Sequence, residues 1–290
     1  MRCLPLGLVF AAVMAFGATA SAAPLAVVAA ENFYGDIARQ IGGDGVAVTS
    51  ILSNPDQDPH MFEASPSVAR GLARARVVVA NGVGYDPWMD KLLAAGAAPG
   101  RVVVVAGALV GKQAGDNPHI WYDPATALAV AGALSEAFGA ADSAHAEVYA
   151  RRLAAFRESL TPMQGRIAAL RGRLAGVPVT ATEPVLGVLL ARLGVEDRNG
   201  GFQRAVMNGT EPAASEIAAF EADLKGHRVR MLVYNSQASG PIAARMARLA
   251  RAQGVPVIGV TETEPAGKTY QTWLASTLEA IDKALPAPPK

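Results

Sequence analysis

The sequence predicts an α/β fold of two lobes with parallel-type sheets, joined by one long backbone helix. Three observations predict it. From Pro24 onward, short β-rich runs alternate with amphipathic helical stretches, the pattern of βαβ units. Midway along the chain, Tyr149, Leu153, Phe156, Leu160, Met163, Ile167, Leu170 and Leu174 step by four and three without a miss, which reads as one apolar seam on one helix. Beyond that seam the alternation starts again, so an α/β half lies on each side of the helix.

Residues 1–22 open with Arg2, run through 4–16 without a charge and end in Ala20-Ser21-Ala22, the pattern of an export leader. The apolar run is shorter than the ~20 residues of a membrane-spanning helix. Cleavage near Ala22 or Ala23 and release of a soluble protein into the periplasm are expected. The single cysteine, Cys3, would leave with the leader, and it lies too early to be a lipidation site. The mature chain is therefore expected to carry neither a disulfide nor a thiolate ligand, and any metal site must use nitrogen and oxygen. Loss of Arg2 leaves 25 basic residues against 25 acidic ones. Neutrality with few aromatics argues against a nucleic-acid partner. Division into an N-terminal lobe (23–141), a linking helix (142–175) and a C-terminal lobe (176–290) follows.

In the first half, 25–30 reads as a strand and 32–41 as a helix ended by Gly42-Gly43. A strand at 46–52 then delivers the loop Asn54-Pro55-Asp56-Gln57-Asp58-Pro59-His60. A helix at 66–73, a strand at 77–80, a helix at 88–97 and a strand at 102–106 lead to a second loop, Asn117-Pro118-His119-Ile120-Trp121-Tyr122-Asp123-Pro124, and a helix begins near Pro124. The seam helix spans 142–174, on the order of 50 Å at about 1.5 Å per residue. Pro162 removes a backbone donor and should bend it there. In the second half, strands are expected at 177–182, 229–234 and 255–260. Helices are expected at 184–193 (closed by Gly194), 214–224, 241–253 and 269–285. A weak internal echo relates the halves: Glu31 is followed by Gly35 and Gly42, and Glu183 by Gly187 and Gly194, with the same spacing.

Ligands of open α/β sheets gather beyond the carboxyl ends of the strands, and both Pro-His loops fall there. Proline fixes its own φ and pushes the preceding residue into extended conformation, so His60 and His119 are held on stiffened backbone suited to a preformed metal site. Each could equally decorate a surface loop. His145 and His227 lie in charged helical surroundings and read as solvated. Glu183, before Pro184, is either a helix-capping acid or a ligand. Glu262 and Glu264, after the last strand, are either solvated acids or ligands. Two imidazoles with two carboxylates suit zinc, manganese or ferrous iron, whereas calcium would prefer oxygen alone and copper(I) sulfur.

The order of leader, Asp-Pro-His, Asn-Pro-His-Ile-Trp-Tyr-Asp-Pro, long helix and carboxylate-led second half resembles the metal-binding solute-binding proteins of zinc and manganese ABC importers, often called cluster A-I. The resemblance spans nearly the whole mature chain. It implies two α/β lobes on a backbone helix, a divalent metal ion (Zn2+ or Mn2+) held between them as transported ligand, and delivery to an ABC importer membrane permease by a monomer. It makes His60 and His119 the N-lobe ligands. Glu183 falls where many zinc-binding relatives place a histidine, a departure toward the manganese type. Glu262 matches the fourth ligand, with Glu264 as the fallback. The His- and acid-rich loop of many zinc importers is missing, since only Gly111-Lys112-Gln113-Ala114-Gly115-Asp116 precedes the second motif.

On this reading the protein is no enzyme. Its affinity should fall once the ligand imidazoles protonate, below about pH 6, and the helical spine should keep domain closure small. Two other functions fit the same residues. One is a secreted metal-dependent hydrolase, which would need three ligands and an open position. The other is a binder of a small organic solute lined by Phe33, Tyr34, Trp88, Trp121 and Tyr122.

Overall fold

The computed structural model describes residues 23–55, 59, 62–96, 98–238 and 240–286. Two four-stranded sheets organise them. In the first lobe β1 (Leu25–Glu31), β2 (Val46–Leu52), β3 (Val77–Ala80) and β4 (Val102–Val105) lie in the order β2-β1-β3-β4, all parallel. In the second, β5 (Pro178–Ala181), β6 (Glu196–Arg198), β7 (Leu232–Asn235) and β8 (Val257–Val260) lie in the order β6-β5-β7-β8, again all parallel. The two orders are the same once the second half is renumbered, which gives the weak internal echo a structural basis. Val-rich strands such as β3 suit a parallel sheet because helices cover both faces, and all four β3 residues are buried.

Helices α1 (Asn32–Gly42), α2 (Pro66–Arg74), α3 (Pro87–Ala95), α4 (Ala106–Leu109) and α5 (Pro124–Ala141) belong to the first half. Asp123 starts α5 by accepting the Ala125 amide at 2.9 Å, and Pro124 occupies the first turn, where its missing N–H is harmless. The 18 residues of α5 are long and apolar enough to cross a membrane, yet Val130, Leu134 and Phe138 are buried in the protein core. The second half carries α8 (Gly187–Leu193), α9 (Gly200–Met207), α10 (Ala214–Lys225), α11 (Pro241–Ala252) and α12 (Tyr270–Ala284). Gly194 closes α8 at φ 70°, a left-handed conformation that glycine adopts without strain.

The seam helix exists with two corrections. It starts as α6 (Ala146–Ser159) after a short 3-10 turn, Ser143–His145, and it is divided from α7 (Thr161–Leu174) at Leu160 rather than at Pro162. Pro162 has no N–H for the carbonyl four residues back and its ring crowds that carbonyl, so the ladder opens in the turn before it. Leu160 itself keeps right-handed helical angles (φ −85°, ψ −14°), so the spine runs on. The seam is buried as its spacing predicts. Tyr149, Phe156, Leu160, Met163, Leu170 and Leu174 enter a core cluster that also holds Val27 and Phe33 of the first half and Leu189 and Leu278 of the second.

The sequence reading missed three elements. Helix α4 takes over at Ala106, where the strand was expected to continue. Strand β6 (Glu-Asp-Arg) carries no β signal of its own and exists through pairing with β5. Helix α9 follows it, started by Asn199 in a left-handed conformation (φ 63°).

Helix α12 packs on β8 of its own lobe and does not stop there. It packs on α7 and reaches back to α1, where the Tyr270 amide donates to Asp36 Oδ2 at 2.9 Å and the Gln40 and Gln271 amides exchange hydrogen bonds at 3.0 and 2.8 Å.

Candidate metal centre

The site is assembled where the carboxyl ends of both sheets face each other. After β4, α4 and a turn bring the chain to Asn117, whose side-chain oxygen accepts from the backbone N–H of His119 at 3.0 Å and lies 2.8 Å from its Nδ1. That acceptor fixes the proton on Nδ1 and turns Nε2 toward the second lobe. There Nε2 stands 3.2 Å from Glu262 Oε2, with both side chains fully buried. Trp121 and Tyr85 wall the imidazole at ring distances of 5.2 and 6.1 Å.

Glu183 and Glu262 come from the loops after β5 and β8, and Asn235 at the end of β7 joins them. Its Nδ2 donates to Glu183 Oε2 and to Glu262 Oε1, each at 2.6 Å. One amide group, with two hydrogens, thereby draws two carboxylates together. Gln237 holds the Glu262 loop by accepting the backbone amides of Glu262 and Thr263 at 2.5 and 3.1 Å. Tyr85 is pushed well above the ordinary phenol range, chiefly by burial and then by the negative charge of Glu262. A carboxylate pair and an imidazole this deeply buried need a compensating positive centre, which a proton or a divalent cation supplies.

Three of the four expected ligands, His119, Glu183 and Glu262, thus meet in one cluster. His60 lies outside the described residues. Glu183 occupies the N-cap position of the helical turn that follows it, and its side chain makes no capping hydrogen bond there. Glu264 looks elsewhere. Burial pushes its carboxyl up to about 8, with Asp36 adding and Arg39 opposing, and it lines a cavity of ≈340 Å³ with Asn32, Arg39 and Ser50. Of the two acids after β8, Glu262 is the one in the cluster. His145 and His227 are exposed, as expected. Phe33, Tyr34, Trp121 and Tyr122 are almost wholly buried core residues, with Phe33 stacked on Trp121 at 4.7 Å, and Trp88 is half-buried.

Sequence reasoning missed Asn235, Gln237 and Tyr85. Asn235 was within reach of the rule that found Glu183, because it stands at the carboxyl end of a parallel strand. Its amide carries no metal-ligand signature, so nothing in composition distinguished it.

Hydrogen bonds between the halves close the cluster off. Asn117 Nδ2 donates to the Pro184 carbonyl at 2.8 Å, Tyr122 Oη to the Thr261 carbonyl at 2.7 Å and Tyr270 Oη to the Trp121 carbonyl at 2.8 Å. Asn32 exchanges two hydrogen bonds with the Glu264 backbone at 2.7 and 2.9 Å.

Comparison with known proteins gives this geometry a family. Residues 27–284 match the family described as zinc-uptake complex component A, periplasmic. The iron-binding protein YfeA of Yersinia pestis is 31% identical over 149 residues, 49% of this chain and 47% of its own length. The manganese ABC transporter substrate-binding lipoprotein PsaA of Streptococcus pneumoniae is 29% identical over 154 residues, 48% of this chain and 49% of its own. The chain thus spans about half the length of these two curated relatives. The periplasmic zinc-binding protein TroA of Treponema pallidum shares the fold, with a TM-score of 0.76 over 90% of this chain and 98% of its own, at 18% identity. Because the family match runs from the first strand to the last helix, through both lobes and the loops that build the cluster, the chain belongs to the zinc-uptake complex component A family.

Proposed function

We propose that this protein captures a divalent first-row metal cation, zinc or manganese, between its lobes and delivers it to an ABC importer permease. The metal is cargo. The ligands are His60, His119, Glu183 and Glu262, and the working form is a monomer in the periplasm, released after loss of residues 1–22. The lobes are 23–141 and 176–290, with 142–175 as the spine. The observation that carries this reading is the buried cluster in which His119 Nε2 approaches Glu262 Oε2 at 3.2 Å while Asn235 holds Glu183 and Glu262 side by side. Mixed nitrogen and oxygen donors suit zinc, manganese or ferrous iron. The names of the relatives agree, since YfeA binds iron, PsaA serves a manganese transporter and TroA binds zinc.

Each donor's proton must leave before metal enters, so binding weakens in acid. Delivery rather than catalysis fits a donor set buried away from any substrate, and the protein is read as no enzyme. Calorimetric titration of the chelator-stripped mature protein with Zn2+ and Mn2+ tests the reading. Wild type binds at least one of them, and His119→Ala and His60→Ala each weaken that binding by at least about 100-fold. A wild type that takes neither metal would refute the function.

A further inference from the structure

The two halves share one strand order, so a strand-end position in one lobe has a positional counterpart in the other. Ala181 pairs with Val233 in the second sheet and Ala29 with Val79 in the first. Two residues further on, Glu183 stands level with Asn235, and Glu31 stands level with Asn81. Each glutamate ends, or lies just beyond, the first strand of its half. Asn235 spends its amide on Glu183 and Glu262. Asn81 spends its own elsewhere: its oxygen accepts from Tyr34 Oη at 2.7 Å, and its nitrogen donates to the Gly82 and Pro118 carbonyls at 3.1 and 2.9 Å.

Glu31 is consequently left over. Its side chain is completely buried and neither carboxyl oxygen has a hydrogen-bond partner among the described residues. Burial, with Asp86 adding, pushes its carboxyl well above the ordinary range. Buried polar groups in native proteins are almost always satisfied, so a carboxyl with both oxygens orphaned calls for a ligand. Its position says which one. Asn32, the next residue, grips the backbone of Glu264 in the other lobe, so Glu31 is adjacent in the chain to a contact between the lobes. Leu52, its partner on β2, ends the strand that leads into the Pro55 loop. Tyr85, whose ring stands 6.1 Å from that of His119, is near enough to both Glu262 and Glu31 for their charges to raise its hydroxyl.

We propose that Glu31 is a further donor to the cation, the first-lobe counterpart of Glu183, and that its carboxylate tilts the site toward an oxygen-seeking ion such as Mn2+ over Zn2+. This rests on the metal-capture reading above. Zinc is satisfied by four donors in a tetrahedron, whereas manganese takes more, and prefers oxygen. An added carboxylate therefore strengthens Mn2+ binding more than Zn2+ binding.

The test compares wild type, Glu31→Gln and Glu31→Asp, each chelator-stripped and titrated separately with Mn2+ and Zn2+. Glu31→Gln should lose Mn2+ affinity by about 10–100-fold. Its Zn2+ affinity should hold within a factor of about three. Its metal-free form should melt no lower than wild type, because an unpaired buried carboxyl has gone. Glu31→Asp, whose carboxylate is withdrawn by one methylene, should also lower the ratio of Mn2+ to Zn2+ affinity, and it decides the matter if Glu31→Gln does not fold. An unchanged ratio in the folded variants, or equal losses for both metals, overturns the proposal while leaving metal capture intact. Wild type that binds neither metal overturns both.

Discussion

At the scale of single residues, the cluster depends on an asparagine as much as on its charged members. Asn235 joins Glu183 to Glu262 through one amide nitrogen. Asn235→Ala frees two buried carboxylates to repel each other, and metal affinity should fall by about 10–100-fold, as for other residues that orient ligands. Titration calorimetry reads this directly, and an unchanged affinity would show that the two acids hold their places unaided. Asp86 carries a pH dependence of a different kind. Burial pushes its carboxyl up to about 6, even though the Asn81 and Gly82 amides donate to it at 2.7 and 2.8 Å. A carboxyl that holds its proton more tightly folded than unfolded adds stability that is fully present below the unfolded value of ~3.9. That stability is lost as pH rises through about 6, with an upper bound of roughly 3 kcal/mol. Denaturant unfolding of wild type and Asp86→Asn between about pH 4 and 7 should show wild type losing stability relative to the variant as pH rises, and parallel profiles would contradict this.

At the scale of elements, the spine shows how a local rule and a global one combine. The i, i+4 and i, i+3 spacing of the seam is a statement about one helix face, and every seam residue is buried or packed against the core. Pro162 breaks the hydrogen-bond ladder, yet Leu160 keeps helical angles at the joint because its side chain is wholly buried. Leu160→Ala removes that anchor where the two helical segments meet. The expected loss is about 2–5 kcal/mol of unfolding free energy, measured by denaturant titration, and a loss below about 1 kcal/mol would mean the joint is held elsewhere. Strand β6 is the opposite case, since Glu-Asp-Arg adopts extended conformation only because β5 offers an edge to pair with.

At the scale of the whole molecule, the lobes are tied by the spine, by α12 returning to α1 and by the hydrogen bonds around the cluster. Tyr270, fully buried, donates to the Trp121 carbonyl from its hydroxyl and to Asp36 from its backbone amide, so the strap ends beside the His119 loop. A hinge that opens widely would have to break these bonds together with the Asn32–Glu264 pair. Small-angle scattering of metal-free and metal-loaded protein should therefore give nearly superimposable curves, whereas a clear compaction on loading would show that the strap releases.

Most of the architecture was legible because its signals are periodic. Apolar runs separated by helical spacing identified both sheets and the spine, since burial on one face or on two dictates those periods. The positions of His119, Glu183 and Glu262 followed from the rule that parallel strands present their ligands at their carboxyl ends. Pairing between distant segments was not legible. That Glu262 rather than Glu264 faces His119 depends on which way a loop turns after β8, and that Asn235 bridges two acids depends on β7 lying beside β5. The sequence by itself determined most of the elements and proposed the donors, because hydrophobic period and side-chain chemistry are local properties. Only the tertiary structure decided which donors meet and left Glu31 buried without a hydrogen-bond partner among the described residues, because those facts arise from the register between strands far apart in the chain.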